Sequence, residues 1–398
     1  MENEQPAVST MAVPPFPFVI FHIVAFIVEF LQIQERQRER HPLPPPALPI
    51  QALFAGVQCL LEIFLRFIIP LHVIIRRNYQ GNRGLINNNS CIWNLVARSP
   101  EFFWFLTGET PQSLLRVVQR VGDEVEARVR NPWRPRNRVR RTRPNSLCVY
   151  DRILMVFIWL RRYLTFYNLG LMFQVSASYI CENIQMIIPI LHEHFVHRYI
   201  TWHGENEWRE QRGRFETLPN AVGAIDAFAV RINRPQGAIQ RLYYRRDRGF
   251  HFLNFQAIID NDGYFRFVRG GYLGHDTDAG SYRRLPSIGY GQQLHLPRGV
   301  YLLADGGYPS IYPLVTPFRR QRGGYLLGIR RRVNREISRV RVRVEHRIGD
   351  IRVYCSVPGA TGRFRNRRRF LPVVVNIVVA LVNRRRRHIA SIRERFEQ

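Results

Sequence analysis

Acidic residues that stand alone among apolar or basic neighbours carry the chemical signal in this chain. Asp226 interrupts the apolar run AVGAIDAFAVRI, and Asp305 follows the run VYLLA in GVYLLADGGYP. Asp276 and Asp278 fall in YLGHDTDAGSYRRL, where the chain leaves a strand-like segment, and Glu345 is surrounded by arginine in ISRVRVRVEHRIGDIRV. Carboxylates from separate strand ends and a neighbouring helix can meet at one point. Such groups repel one another and raise each other's pKa. A divalent cation removes the conflict, and Mg²⁺ favours carboxylate oxygens completed by water. Two ions about 4 Å apart clamp the attacking and leaving oxygens of a phosphodiester. Arginines further out would then hold the nucleic-acid backbone.

Each acid also has a plain structural reading. Asp305 precedes Gly306-Gly307-Tyr308-Pro309, and Asp followed by Gly is ordinary turn chemistry. Asp226 could cap a turn in the same way. Glu345 lies four residues after Arg341, the spacing of a helical ion pair.

The bulk composition favours a polyanionic partner. The 398 residues carry 59 basic against 30 acidic side chains, a net charge of +29. All the basic residues are arginine, so Schiff-base and phosphate-loop lysine chemistry are excluded. Arginine is the planar, bidentate partner of phosphate, and such an excess points to nucleic acid or an anionic membrane. The five cysteines, Cys59, Cys91, Cys148, Cys181 and Cys355, form no C-x-x-C pair. Their scatter argues against a zinc site or disulfide scaffold and for a reducing compartment.

The elements that must hold the acids can be read from periodicity. AVGAIDAFAVRI reads as a strand, HFLNFQAIIDNDGYFRFVRGG as two strands joined at Asn261-Asp262-Gly263, and GVYLLADGGYP as a further strand. The segment around Glu345 is mixed: valines alternate with arginines, but Ile337, Val340, Val344 and Ile348 share one helical face. We read it as a helix.

Upstream, TPQSLLRVVQRVGDEVEARV has a Thr cap and helical apolar spacing. Arg128 to Pro144 is a basic, proline-broken linker whose Arg138, Arg140 and Arg141 would contact phosphate or serve as a nuclear-localisation signal. From about 147 to 203 a helix, a short helix, a turn at Val175-Ser176 and a third helix give a helix-turn-helix pattern. Ser176, Ser178, Tyr179 and Asn183 would then face DNA.

Residues 1–90 contain two apolar stretches, Phe16 to Ile33 and Ile50 to Ile75, split by HPLPPPALP. His22, Glu29, Glu62 and Arg66 interrupt them, which favours packed amphipathic helices over membrane spans. The expected organisation is therefore an N-terminal helical region over 1–90, a helical region with linker and helix-turn-helix over 91–217, and an α/β domain over 218–398.

Between about Gly223 and Asn383 the chain resembles the DDE transposases of the PIF/Harbinger superfamily, including the Harbinger-derived nucleases domesticated in animals. The blocks that carry the likeness are GAIDAFAV, YRRDRGFHFLNFQAIIDNDGYF, GHDTDAGSY, LLADGGYPSIYPLVTPF, NREISRVRVRVEHRIGDIR and ALVN, in that order. The segment LMVFIWLRRYLTFYNLGLMFQVSASYICENI is similar to the helix-turn-helix that precedes the catalytic domain in that family.

The resemblance implies an RNase H-like catalytic domain, a mixed sheet with flanking helices, preceded by an all-α helix-turn-helix region. It implies that Asp226, Asp305 and Glu345 are catalytic. These three, with Asp278 as an additional acid, would bind two divalent cations, Mg²⁺ or Mn²⁺. Either Asp278 or Asp305 would be the second member of the core triad, and strand-end geometry favours Asp305.

The implied activity is hydrolysis of phosphodiester bonds at transposon ends followed by transfer of the 3′-hydroxyl strand to target DNA. The alternative is a domesticated DNA-binding protein that no longer transposes. The implied partners are DNA, a separate Myb/SANT-like DNA-binding protein and a second copy of the chain. No small-molecule substrate or membrane is implied, and the expected location is the nucleus, with the cytoplasm as a second site. Thr277, Asp247 and Val382 depart from the family pattern, and none of them is an expected metal ligand.

Overall fold

The computed structural model describes residues 92–130, 147–289, 293–319, 325–355 and 363–397. Arg138, Arg140 and Arg141 lie outside the described residues, as do the two apolar N-terminal stretches. Among the described residues no helix is long and apolar enough to cross a membrane.

Among the described residues six helices come first: α1 (Ile92–Val96), α2 (Pro100–Thr107), α3 (Pro111–Arg130), α4 (Val149–Arg162), α5 (Phe166–Phe173) and α6 (Ala177–Tyr199). Their starts follow capping chemistry. Ser99 accepts from Phe102 N, Thr165 from Asn168 N and Ser176 from Tyr179 N, each satisfying a donor the helix leaves unpaired. The Thr cap expected before α3 is Thr110, which accepts from Ser113 N at 3.1 Å. A short helix α7 (Glu205–Glu210) leads to the sheet.

The sheet contains β1 (Ala221–Arg231), β2 (Tyr244–Arg245), β3 (Phe250–Asp260), β4 (Phe265–Leu273), β5 (Tyr301–Leu303) and β6 (Leu314–Val315). A short helix α8 (Gln240–Tyr243) precedes β2, and α9 (Asp278–Tyr282) follows β4. β3 pairs with β1, β4 and β2 in antiparallel fashion, whereas β1, β5 and β6 run parallel. The order β4-β3-β1-β5-β6 is thus an antiparallel meander extended by two parallel strands. This mixed sheet with flanking helices, after a helical region, has the RNase H-like arrangement that the resemblance implied.

Two long helices close the chain, α10 (Gly328–Tyr354) and α11 (Leu371–Glu397), separated by a 3₁₀ turn at Arg368–Phe370. The ambiguous segment around Glu345 is helical. Ile337, Val340, Val344, Ile348 and Ile351 are all buried, so the 3.6-residue period prevails over the alternation of valine and arginine.

The first half of α11 is apolar apart from Asn376 and largely buried, between α6 and β4. Asn383 ends that stretch fully buried. Its side chain accepts from Phe265 N and donates to Phe265 O and Tyr199 O, joining α11 to β4 and to the end of α6. An apolar core runs from the helices α1–α6 across one sheet face to α10 and α11. Trp208, Ile225, Ile258, Leu302 and Tyr308 form a second core on the other face.

Candidate active site

Strand register brings the first two acids together. β1 and β5 are parallel, with Ala224 opposite Leu303. Asp226 within β1 and Asp305 just past the end of β5 each lie two residues beyond that pair, which brings them near one another where neighbouring strands are usually about 4.8 Å apart. Asp226 lies inside its strand and not at a strand end, because β1 continues to Arg231. It faces the same side as Ala224 and Phe228, against α10.

The apolar stripe of α10 packs that helix onto β1 and leaves Arg341 and Glu345, one turn apart, at the edge of the stripe. The guanidinium of Arg341 lies among three acids. It is 3.3 Å from Asp305 Oδ1, 3.6 Å from Glu345 Oε1 and 3.8 Å from Asp226 Oδ1. Arg341 is therefore more than the helical partner of Glu345.

Asp278 belongs to the same neighbourhood. It opens α9, whose N-cap Thr277 accepts from Gly280 N, and its Oδ1 accepts from Asn254 Nδ2 at 3.4 Å. A Cβ built on Gly307 would lie 3.3 Å from Asp278 Oδ2 and 4.0 Å from Asp305 Oδ2, so both carboxylates border one glycine. A Cβ there would press on Asp278 Oδ2 by a few tenths of an ångström and meet Asp305 Oδ2 at ordinary contact distance.

Turn chemistry and convergence coexist at Asp305: its Oδ1 also accepts from Gly306 N at 2.7 Å. Asp276, by contrast, is used structurally. It accepts from Leu273 N and pairs with Arg284.

Burial distinguishes the acids. The side chains of Asp305 and Glu345 are about half exposed, at 51% and 54%, whereas that of Asp226 is 18% exposed. Desolvation raises the Asp226 pKa to about 6. The Ala227 N–H and Arg341 oppose that rise, and Glu345 and Asp305 add to it. Burial, with Asp226 and Asp278 nearby, also pushes the Tyr308 hydroxyl well above its usual value.

Beneath the acids, Tyr308 donates its hydroxyl to Gln256 Oε1, while the Gln256 amide nitrogen is buried without a partner. These supporting residues were missed from the sequence. The available signal was Asn254 and Gln256, two polar residues at strand spacing on one face of the otherwise apolar run FHFLNFQAIID.

Among the described residues, no three acids, histidines or cysteines lie close enough to hold a metal ion as they stand. The donor chemistry nevertheless suits a hard divalent cation, since three carboxylates already gather around one positive charge.

The helix-turn-helix consists of α4, α5 and α6, with Gly170 at the tight junction between the latter two. A Cβ there would lie 2.6 Å from Val175 O, so only Gly fits. Ser176 caps α6 and Ser178 is exposed. Tyr179 is half-buried, its hydroxyl accepting from Leu147 N.

Asn183 corrects an expectation. It is buried, donates to Tyr179 O and accepts from Arg152, so its side chain ties α6 to α4 instead of facing outward. One turn of helix separates it from Tyr179, and that places it on the packed face.

Comparison with known proteins agrees with this geometry. Residues 225–383 match the model of the DDE superfamily endonuclease, and residues 145–197 match that of the helix-turn-helix of DDE superfamily endonuclease. The chain is 25% identical over 242 residues to the "Probable transposase for insertion sequence element IS702" of Microchaete diplosiphon, covering 60% of this chain and 81% of that protein. No solved structure matches. Residues 145–197 and 225–383 are thus similar, in chain order, to the helix-turn-helix and the endonuclease domain of the DDE superfamily.

Proposed function

We propose that this protein is a metal-dependent DNA transposase of the PIF/Harbinger type. It would hydrolyse phosphodiester bonds at element ends and transfer the freed 3′-hydroxyl strand to target DNA. The observation that carries this reading is the convergence of Asp226, Asp305 and Glu345 on the single guanidinium of Arg341, with Asp278 beside Asp305 across Gly307. The transposase relative supports the strand-transfer half of the reading.

Asp226, Asp305 and Glu345 would hold divalent cations, Mg²⁺ or Mn²⁺, with Asp278 assisting. Bound cations would supply Lewis-acid activation of the attacking oxygen and neutralise charge on the phosphodiester. The chain's own residues do the remaining work. Half-exposed Asp305 and Glu345 open the site to a DNA strand, while desolvated Asp226 needs a positive partner to stay ionised near neutral pH. In the described arrangement Arg341 is that partner. Its guanidinium can exchange acids for phosphate, since a bidentate arginine suits either. Asn254 orients Asp278, and Gln256 and Tyr308 buttress the strand ends from below.

The helix-turn-helix would grip duplex DNA through the exposed start of α6, at Ser178 and its neighbours. Location in the nucleus, a Myb/SANT-like recruiting partner and self-association belong to the same proposal.

The test is nicking of element-end DNA in Mg²⁺ or Mn²⁺ by the wild type and by Asp226→Ala and Glu345→Ala. Loss of nicking with retained duplex binding is expected; undiminished nicking sinks the assignment.

A further inference from the structure

Successive residues of a strand project to opposite faces of the sheet. On β3, Asn254 reaches Asp278, while its neighbour Leu253, opposite Val230 on the sheet face that Asp226 and Phe228 share, lines a groove of about 780 Å³. Leu253, Ile239 and Tyr243 supply apolar and aromatic surface to this groove, and Arg367, Arg368 and Arg369 supply its charge.

Arg367 and Arg369 are exposed. Arg368 lies over the Tyr243 ring, 4.6 Å from its centroid. Ile239, at 46% exposure, is open to solvent. No carboxylate lines the groove, and among the described residues none of the three arginines is paired with one.

Three consecutive unneutralised arginines beside an apolar floor select for a polyanion that also carries flat apolar groups. A duplex keeps its base faces stacked inside and offers such a wall sugar, phosphate and base edges alone. An unpaired strand can lay bases on the aromatic and apolar floor while its phosphates meet the arginines. The groove is also of the size that encloses a small ligand.

We propose that this groove is a binding site for single-stranded DNA, separate from the helix-turn-helix and from the acids. Only the source of that strand, the unpaired DNA at a cut element end, rests on the transposase reading.

The test uses the full chain in EDTA, so that no cutting occurs, with a fluorescent oligo-dT and a duplex of unrelated sequence as probes. Arg367→Ala with Arg369→Ala is expected to weaken oligo-dT binding at least tenfold near physiological salt. It should lower the log–log salt slope by about 1.4, roughly 0.7 for each lost contact to a single strand. Duplex binding should change less than twofold.

A photo-crosslinking residue at Ile239 supplies a second measurement that leaves the arginines intact, and it should crosslink oligo-dT in preference to duplex. Unchanged oligo-dT affinity, equal losses on both probes, or no crosslink to the single strand overturns the site. A Glu345→Gln variant that cannot nick yet binds oligo-dT normally separates failure of the nuclease assignment from failure of this one.

Discussion

Asp226 and Asp260 lie on neighbouring antiparallel strands, and both are largely shielded from water, yet their surroundings push them in opposite directions. The Asp260 side chain is fully buried and fully answered: Tyr264 N donates to Oδ1 at 2.8 Å, and Arg266 Nε at 2.6 Å and His203 Nε2 at 3.1 Å approach Oδ2. Burial raises its pKa, but these partners outweigh burial and hold the group below its ordinary value. Asp226 has only the N–H of its own neighbour at 2.8 Å and Arg341 at 3.8 Å, so burial prevails and its pKa rises to about 6. A carboxylate with its partners in place is an anchor. One left short of positive charge has the environment that the proposed function asks of a cation ligand.

The largest effect that would break this comparison is on activity. Asp226→Asn should reduce nicking by roughly 10³-fold or more while the protein stays folded, because charge at the reacting centre has no substitute. Near-normal nicking with a normal circular dichroism melt would make Asp226 a second anchor.

Asp260→Asn should act on stability instead. Breaking a buried, hydrogen-bonded charge pair costs about 3–5 kcal/mol, to be read as a lower denaturant midpoint. A fully stable Asp260→Asn protein with impaired nicking would reverse the two roles.

The pH dependence sharpens the contrast, since the two groups have opposite signs. Asp226 has a folded pKa near 6 against 3.8 ordinarily, so the folded state holds its proton more tightly. Its contribution is present below about pH 4 and lost as pH rises through about 6, a change of about 3 kcal/mol at most. Asp260, with its pKa depressed, contributes above pH 4 and loses that contribution on acidification. Metal-free Asp226→Asn should therefore lose less stability than the wild type between pH 4 and 7 in urea melts. An unchanged profile would deny the raised pKa.

A smaller effect is expected at Arg341. Arg341→Met leaves three carboxylates facing one another without a guanidinium. The metal-free melting temperature should fall by a few degrees and Mn²⁺ should raise it by more than in the wild type, as ligand binding to the folded state requires. Equal Mn²⁺ shifts would mean that Arg341 and the cation do not share those acids.

The smallest effect probes the helix-turn-helix frame. Ser176→Ala should cost about 1 kcal/mol by removing the cap of α6, again read from denaturant midpoints.

Much of this was legible in the residues themselves, because local order depends on local spacing. The stripe Ile337, Val340, Val344 and Ile348 identified a helix against a competing alternation. Asn261-Asp262-Gly263 marked the turn between β3 and β4, and Ser176 marked the start of α6. Asp226, Asp305 and Glu345 stood out as acids alone among apolar or basic neighbours, whereas Asp278, two residues after Asp276, was singled out only through the resemblance.

What only the tertiary structure decided depends on residues far apart in the chain. Arg341 was visible as a partner of Glu345 one turn away. That it also meets Asp226 and Asp305 follows from the parallel pairing of β1 with β5 beneath α10. Asn183 looked available for DNA until Arg152 and the packing of α6 on α4 claimed its side chain. Asp260 and Asp226 look alike as acids in apolar strands, and their opposite pKa shifts come from His203 and Arg266 reaching one and not the other. Charge and period are properties of the sequence, whereas pKa and partnership belong to whatever the fold brings within about 4 Å.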